Sequence, residues 1–356
     1  MGEQSGIEWT TATWNPVIGC AKVSPACTNC YAEEYAAKRL KRPDLWRGAR
    51  HVTSRSVWNL PERVDRKAAR EGRRVRLFVS SLADVFEDHP VWTGLRSFAL
   101  AKLEALEHTD VLLLTKRPEN IRGMVPSSWL DAWPAHVWTG ATVEDQQRAD
   151  ERIPELLKVP GPHFLSMEPL LGPVDLSPWL RPEQQCERCD SDCSTCPLDR
   201  AVFVDEDFDE RSGDHPARSI DWVIAGGESG QLARPSHPDW FRSVRDQCAR
   251  AAVPFMFKQW GEWIPRSHTT GRHPWHDERT PDGDPSWRVP APGRLALGWG
   301  TITRDRFWPT TMPFNGHDDD EWGEAIMHRL GTKRAGRMLD GVLHDAFPES
   351  FGVTHG

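Results

Sequence analysis

A recurring rhythm of short apolar runs, each followed by a stretch of helical period, constrains the fold of this chain more than any other feature. The apolar runs occupy residues 75–80, 111–115, 136–142, 163–167, 222–225 and 254–258. Between most of them lie amphipathic segments, at 91–106, 144–157 and 238–251. Strands buried on both faces read as continuous apolar runs, and crossover helices between them impose parallel pairing. Residues 7–19 add a β-prone segment closed by Asn15-Pro16 and Gly19, so six or seven strands are expected. So many connections of one hand favour an α/β fold of one kind, an incomplete parallel (β/α) barrel, over an open doubly wound sheet. Residues 1–260 then form the partial barrel, interrupted by an insertion at 178–219. Residues 261–356 form an irregular C-terminal extension rich in Pro, Gly, His and Trp, in which 320–330 resumes as a helix.

In a parallel barrel the active site lies at the carboxyl ends of the strands. Here those ends read Ser80-Ser81-Leu82-Ala83-Asp84, Thr115-Lys116-Arg117, Thr142-Val143-Glu144, Glu168-Pro169, Gly226-Gly227-Glu228-Ser229 and Lys258-Gln259-Trp260. Any one of them reads equally well as a helix cap, since Ser, Thr, Asp and Glu favour helix starts. Six around one rim point to a site.

Seven of the eight cysteines fall in two short clusters, a pattern of metal sites in a reducing compartment and not of a disulfide framework. The first cluster, Cys20, Cys27 and Cys30, is spaced C-x6-C-x2-C at the start of a helix expected over 30–41. Cysteine binds metal as thiolate. Three thiolates suit a [4Fe-4S] cluster with one open iron. Zinc asks for a fourth ligand, and the nearest candidate is the distant His51. The open-site cluster is therefore favoured over zinc completed from afar, or over no metal. The second cluster, Cys186, Cys189, Cys193 and Cys196, fits structural Zn2+ or a second iron-sulfur cluster, with unliganded thiols the remaining reading. Cys248 reads as an ordinary buried thiol. Tyr31 and Tyr35, the only tyrosines, share a helix face and are expected to pack that helix onto the barrel wall.

A formal charge of −8 excludes a uniformly basic, nucleic-acid-coating surface but leaves room for a local patch. Residues 41–55 are basic and irregular, and Lys333, Arg334 and Arg337 form a second basic group. No apolar run reaches the length of a membrane span, and no signal-peptide pattern is present, so a cytoplasmic protein without a membrane partner is expected.

The run Asn15-Pro16-Val17-Ile18-Gly19-Cys20, with Cys27-Thr28-Asn29-Cys30-Tyr31-Ala32, resembles the cysteine segment of radical S-adenosylmethionine (SAM) enzymes related to spore photoproduct lyases. A wider set, at residues 7–10, 14–16, 113–118, 168–173, 222–230, 257–261 and 335–341, is similar to an uncharacterised family of phage and prophage proteins. Radical SAM enzymes usually carry C-x3-C-x2-C with an aromatic residue before the third cysteine; here the first spacing is six and Asn29 stands before Cys30. The resemblance implies a [4Fe-4S] cluster, S-adenosylmethionine, and an electron donor such as flavodoxin or ferredoxin. It also implies cleavage of SAM to a 5'-deoxyadenosyl radical that takes hydrogen from a substrate, for which the phage likeness points to a nucleic acid or nucleotide. By position, Ser80, Ser81 and Asp84 would replace the Gly-Gly-Glu segment that binds the methionine amino group. Thr142, Glu144 and Glu168 are candidates for ribose or carboxylate contacts, and Lys116 for a carboxylate. Gly226 and Gly227 would let backbone approach the adenine or substrate, or simply form a tight turn. The rivals are a zinc-dependent nucleic-acid-binding accessory protein, and an iron-sulfur nuclease or repair protein that does not use SAM.

Overall fold

The computed structural model describes residues 2–180, 219–265, 299–302, 307–309 and 325–349. The second cysteine group, Cys186, Cys189, Cys193 and Cys196, lies outside them. Seven strands form one sheet: β1 (Ala12–Trp14), β2 (Val75–Val79), β3 (Thr109–Thr115), β4 (Val137–Thr142), β5 (His163–Met167), β6 (Trp222–Gly226) and β7 (Phe255–Gln259). Every neighbouring pair is parallel, and the order in space is the order in the chain. A doubly wound sheet would reverse its order at a switch point. This one never does, so each crossover advances one strand in the same direction and the sheet curls into a half-barrel.

Among the described residues, five helices of eight or more residues accompany the strands: α1 (Tyr31–Lys38), α2 (Leu60–Glu71), α3 (Leu95–Glu104), α4 (Gln146–Leu157) and α5 (Pro238–Arg250). Their ends follow local chemistry. Pro61 sits in the first turn of α2, and Gly72 closes that helix in the left-handed conformation. Asp145 caps α4 by accepting the Arg148 amide at 2.9 Å. Alternate strand residues divide between two cores. Leu77, Val79, Leu113, Leu165, Met167, Val223 and Phe257 face outward to Val64, Leu100, Ile153, Leu156, Phe241 and Cys248 of the helices.

Phe78, Leu112, Trp138, Phe164, Trp222, Ile224 and Met256 face the lumen and gather around Trp9. The Trp9 ring lies 4.6 Å from Phe78, 6.0 Å from Phe164 and 6.4 Å from Trp222, centroid to centroid. This aromatic floor plugs the amino end of the lumen, leaving polar side chains to line its carboxyl end. Trp9→Ala is expected to lower unfolding stability by about 3–5 kcal/mol, read as a shift in urea midpoint, because the cavity has no side chain able to fill it.

The helix expected over 320–330 is not formed at its end. Ala325–Arg329 is a strand, antiparallel to both Trp263–Pro265 and Trp299–Ile302. Burial of Met327 and two-sided pairing override the helix propensity of the segment. Among the described residues, no helix is long and apolar enough to cross a membrane.

Candidate functional site

The loop carrying Cys20, Cys27 and Cys30 lies across the carboxyl end of the half-barrel, where four strand ends hold it. Just beyond β2, Leu82 accepts the Gly19 amide at 2.9 Å, and Glu87 Oε1 accepts the Ala21 amide at 2.8 Å. After β3, Arg117 Nη2 donates to the Ala21 carbonyl at 3.0 Å. After β4, Glu144 Oε1 accepts the Ala26 amide at 3.3 Å. After β6, Glu228 Oε2 accepts from the Asn29 side chain at 3.2 Å, and Arg234 donates to the Pro25 carbonyl at 3.0 Å.

One motif recurs three times. Each cysteine has a sequence neighbour gripped by a buried carboxylate, and each carboxylate is paired with an arginine. Beside Cys20 the pair is Glu87 and Arg50, at 2.6 and 2.8 Å. Beside Cys27 it is Glu144 and Arg152, at 2.8 Å, with Glu144 fully buried. Beside Cys30 it is Glu228 and Arg234, with Nε to Oε2 at 2.8 Å. A buried ion pair recovers its desolvation penalty only when further hydrogen bonds satisfy its remaining lone pairs. Here the loop supplies those bonds, so the pairs and the loop depend on one another. The Asn29 side-chain amide also donates to the Leu232 carbonyl at 2.8 Å.

Burial raises the Glu87 pKa, but the hydrogen bonds and charge of Arg50, the Ala21 amide and Arg117 outweigh it and hold the carboxyl below its ordinary 4.5. A carboxylate depressed in the folded state stabilises the fold above its unfolded pKa and loses that contribution as pH falls through the folded one. Stability is therefore expected to decline as pH drops below about 4.5, and Glu87→Gln to flatten this acid limb in urea titrations taken at successive pH values.

The thiols form no disulfide. Cys20 is pushed up to about 12, first by burial and then by the charge of Asp84, with Arg117 opposing. Arg117 Nη1 lies 3.8 Å from its sulfur. Burial also raises Cys30, against the pull of its backbone hydrogen bonds and Lys116. Burial thus favours the neutral thiol at Cys20 and Cys30, a poor setting for a free nucleophile. Among the described residues, no three His, Cys, Asp or Glu side chains converge on a single ion. A cube does not ask for that convergence, because each thiolate takes its own iron. Three free thiols on one loop are the donor type such a cluster takes.

The other sequence candidates divide into two groups. On the lumen face, Lys116 Nζ donates to Thr142 Oγ1 at 3.3 Å, and Glu168 Oε1 lies 3.1 Å from Lys258 Nζ. Gly226 makes room for this acid, since a Cβ there would stand 2.6 Å from Glu168 Oε1. Ser80 takes a left-handed conformation, φ 62°, uncommon for a non-glycine residue, and its buried hydroxyl has no hydrogen-bond partner among the described residues. The remaining candidates hold the framework. Asp84 receives Thr115 Oγ1 at 2.8 Å, the Phe86 amide at 3.0 Å and Arg117 Nη1 at 2.8 Å, while Glu144 is committed to Arg152 and the loop. Ser81 Oγ accepts from Asn15 at 2.9 Å. A Cβ on Gly227 would meet the Trp260 carbonyl at 2.0 Å, so this glycine serves close contact with the end of β7.

The tyrosines pack onto the barrel only in part. Tyr31 is 51% and Tyr35 38% exposed, and the Tyr31 hydroxyl donates to the Ser81 carbonyl at 2.6 Å. Sequence reasoning assigned no role to Arg50, Glu87, Arg117, Arg152, Arg234 or Lys258. The one available signal was that two of them, Arg117 and Lys258, stand at or just after strand ends.

Fold and site together define an α/β half-barrel protein with a cysteine loop clamped over the carboxyl ends of its strands. The chain belongs to the family described as a protein of unknown function (DUF5131), whose model matches residues 4–348. No curated protein and no solved structure matches it.

Proposed function

We propose that this protein is a radical SAM enzyme in which Cys20, Cys27 and Cys30 hold a [4Fe-4S] cluster. The observation that carries the reading is the seat of the loop: three free thiols, each with a clamped neighbour, lie over the carboxyl-end mouth of a parallel half-barrel. When bound, the cluster and SAM supply reductive carbon-sulfur cleavage for hydrogen abstraction, chemistry that belongs to the cofactor. The chain's own part is positioning. Glu87, Glu144 and Glu228 fix the cysteine loop, and the aromatic floor around Trp9 excludes water from below. Lys116 and Lys258 offer ammonium groups to carboxylate or phosphate, while Thr142, Glu168 and the unpartnered Ser80 hydroxyl offer acceptors for amino and hydroxyl groups. A one-electron donor such as flavodoxin or ferredoxin completes the system.

The test is anaerobic purification and reconstitution, followed by assay of iron, sulfide and visible absorbance, then of 5'-deoxyadenosine formed from SAM under a strong reductant. Iron bound with reductive SAM cleavage is the expected result. A colourless protein that takes up only zinc overturns the reading in favour of a structural metal site, and an iron protein inert towards SAM leaves an iron-sulfur protein of another kind.

A further inference from the structure

Charge is unevenly placed along this acidic chain. Residues 38–55 carry Lys38, Arg39, Lys41, Arg42, Arg47, Arg50 and Arg55 against a single acid, Asp44, in a protein of net charge −8. Arg50 is buried against Glu87, but the other six are exposed. Lys38 pairs with Glu34 and Arg42 with Asp44. Arg39, Lys41, Arg47 and Arg55 make no ion pair among the described residues. Exposed cations that the fold itself does not use are available to a polyanion.

This basic segment is fixed relative to the cysteine loop. Val17–Ile18, just before Cys20, pairs antiparallel with His51–Val52. A small separate core joins Ile18, Ala32, Ala36, Leu45 and Leu82, with Cys30, Leu40, Trp46 and Ala49 packed against it. Gly19 lies so close that a Cβ would meet the Leu45 carbonyl at 2.6 Å. Both ends of the cysteine loop are therefore anchored to the segment bearing the cations. On the same element as Lys38, the half-exposed rings of Tyr31 and Tyr35 stand one helical turn apart.

We infer that this face binds the phosphate backbone of single-stranded nucleic acid, which it presents to the mouth beneath the cysteine loop. Only in naming that strand as substrate does the inference rest on the proposed function; the binding itself needs no cluster. Two observations favour a nucleic-acid strand over an acidic protein surface. The unpaired cations are distributed over one segment anchored to the cysteine loop, and the adjoining helix offers two half-exposed tyrosine rings for base stacking. A recessed lumen also demands a base already out of its duplex or easily extruded from it.

The experiment is fluorescence anisotropy with labelled single-stranded DNA and RNA oligonucleotides and with duplexes of the same sequence, over a range of salt concentrations. It uses the full-length chain before and after reconstitution with iron and sulfide. Binding before reconstitution keeps this inference separate from the cluster. The expected result is tighter binding of single strands than of duplexes, with log affinity falling linearly against log salt. The arm that binds tighter, DNA or RNA, identifies the sugar. The combined variant Arg39→Gln, Lys41→Gln, Arg47→Gln, Arg55→Gln removes four exposed contacts, so its salt slope is expected to be shallower by about 3, at roughly 0.7 per phosphate contact. Its thermal unfolding, in contrast, is expected to match the parent, since all four side chains are exposed. Absence of salt-dependent binding, equal affinity for duplex, or an unchanged slope in the variant overturns the inference. So does a variant that binds oligonucleotide normally but is reduced more slowly by a small acidic electron-transfer protein, which would assign the face to the reductant.

Discussion

Alanine at any one of Cys20, Cys27 or Cys30 is expected to abolish 5'-deoxyadenosine formation and lower the iron retained after reconstitution, while leaving the fold in place. The loop is held by backbone and carboxylate contacts at Ala21, Ala26 and Asn29, not by the sulfurs themselves. Loss of one thiol should therefore change unfolding stability by only about 1 kcal/mol. Cys248→Ala supplies the opposite case. That thiol is fully buried in the outer core on α5, remote in sequence from the loop, so its removal leaves a cavity but should keep the iron. Iron per chain, measured beside the urea midpoint, separates the two behaviours. A Cys20, Cys27 or Cys30 variant that retained both its full iron and its SAM cleavage would remove that residue from the ligand set.

The strands were legible because their information is local. Residues 163–167 are expected as a strand and form β5 with the same bounds, and the other strands of the sheet shift by a residue or two at their ends, except the first, where the segment 7–19 contributes only Ala12–Trp14. The uniform strand order was legible too, since repeated crossovers of one hand permit few alternatives. The grip on the loop was not. Glu144 reaches an amide 118 residues away and Glu228 a side chain 199 residues away, and no window of sequence contains both partners. For the same reason Trp9 reads in sequence as one residue of a β-prone segment, although its ring closes the lumen. Asp84 illustrates a different ambiguity. An acid after a strand looks alike in sequence whether it faces a ligand or ties down a turn, and only the structure shows that Asp84 is bonded to Thr115, Phe86 and Arg117. Ala325–Arg329 shows tertiary pairing overriding a local preference.

Glu144 offers the sharpest separation of loop seating from folding. Its carboxylate, fully buried, joins Arg152 at 2.8 Å and the Ala26 amide at 3.3 Å, while Arg152 also donates to the Thr142 carbonyl at 2.7 Å. Glu144→Leu strands a buried guanidinium, and the expected loss is about 3–5 kcal/mol in urea unfolding. The double variant Glu144→Leu, Arg152→Leu removes both charges, and apolar replacements of buried pairs are often neutral or stabilising, so most of that loss should be regained. What it cannot restore is the acceptor for Ala26, whose unpaired amide retains a cost of about 1–3 kcal/mol. The double variant should therefore be more stable than Glu144→Leu but remain about 1–3 kcal/mol below the parent, and hold its cysteine loop loosely, with faster proteolysis between Cys20 and Cys30 and weaker iron retention. If the pair served folding alone, stability and iron would recover together. Recovery of stability without iron would assign Glu144 and Arg152 to positioning the cysteines.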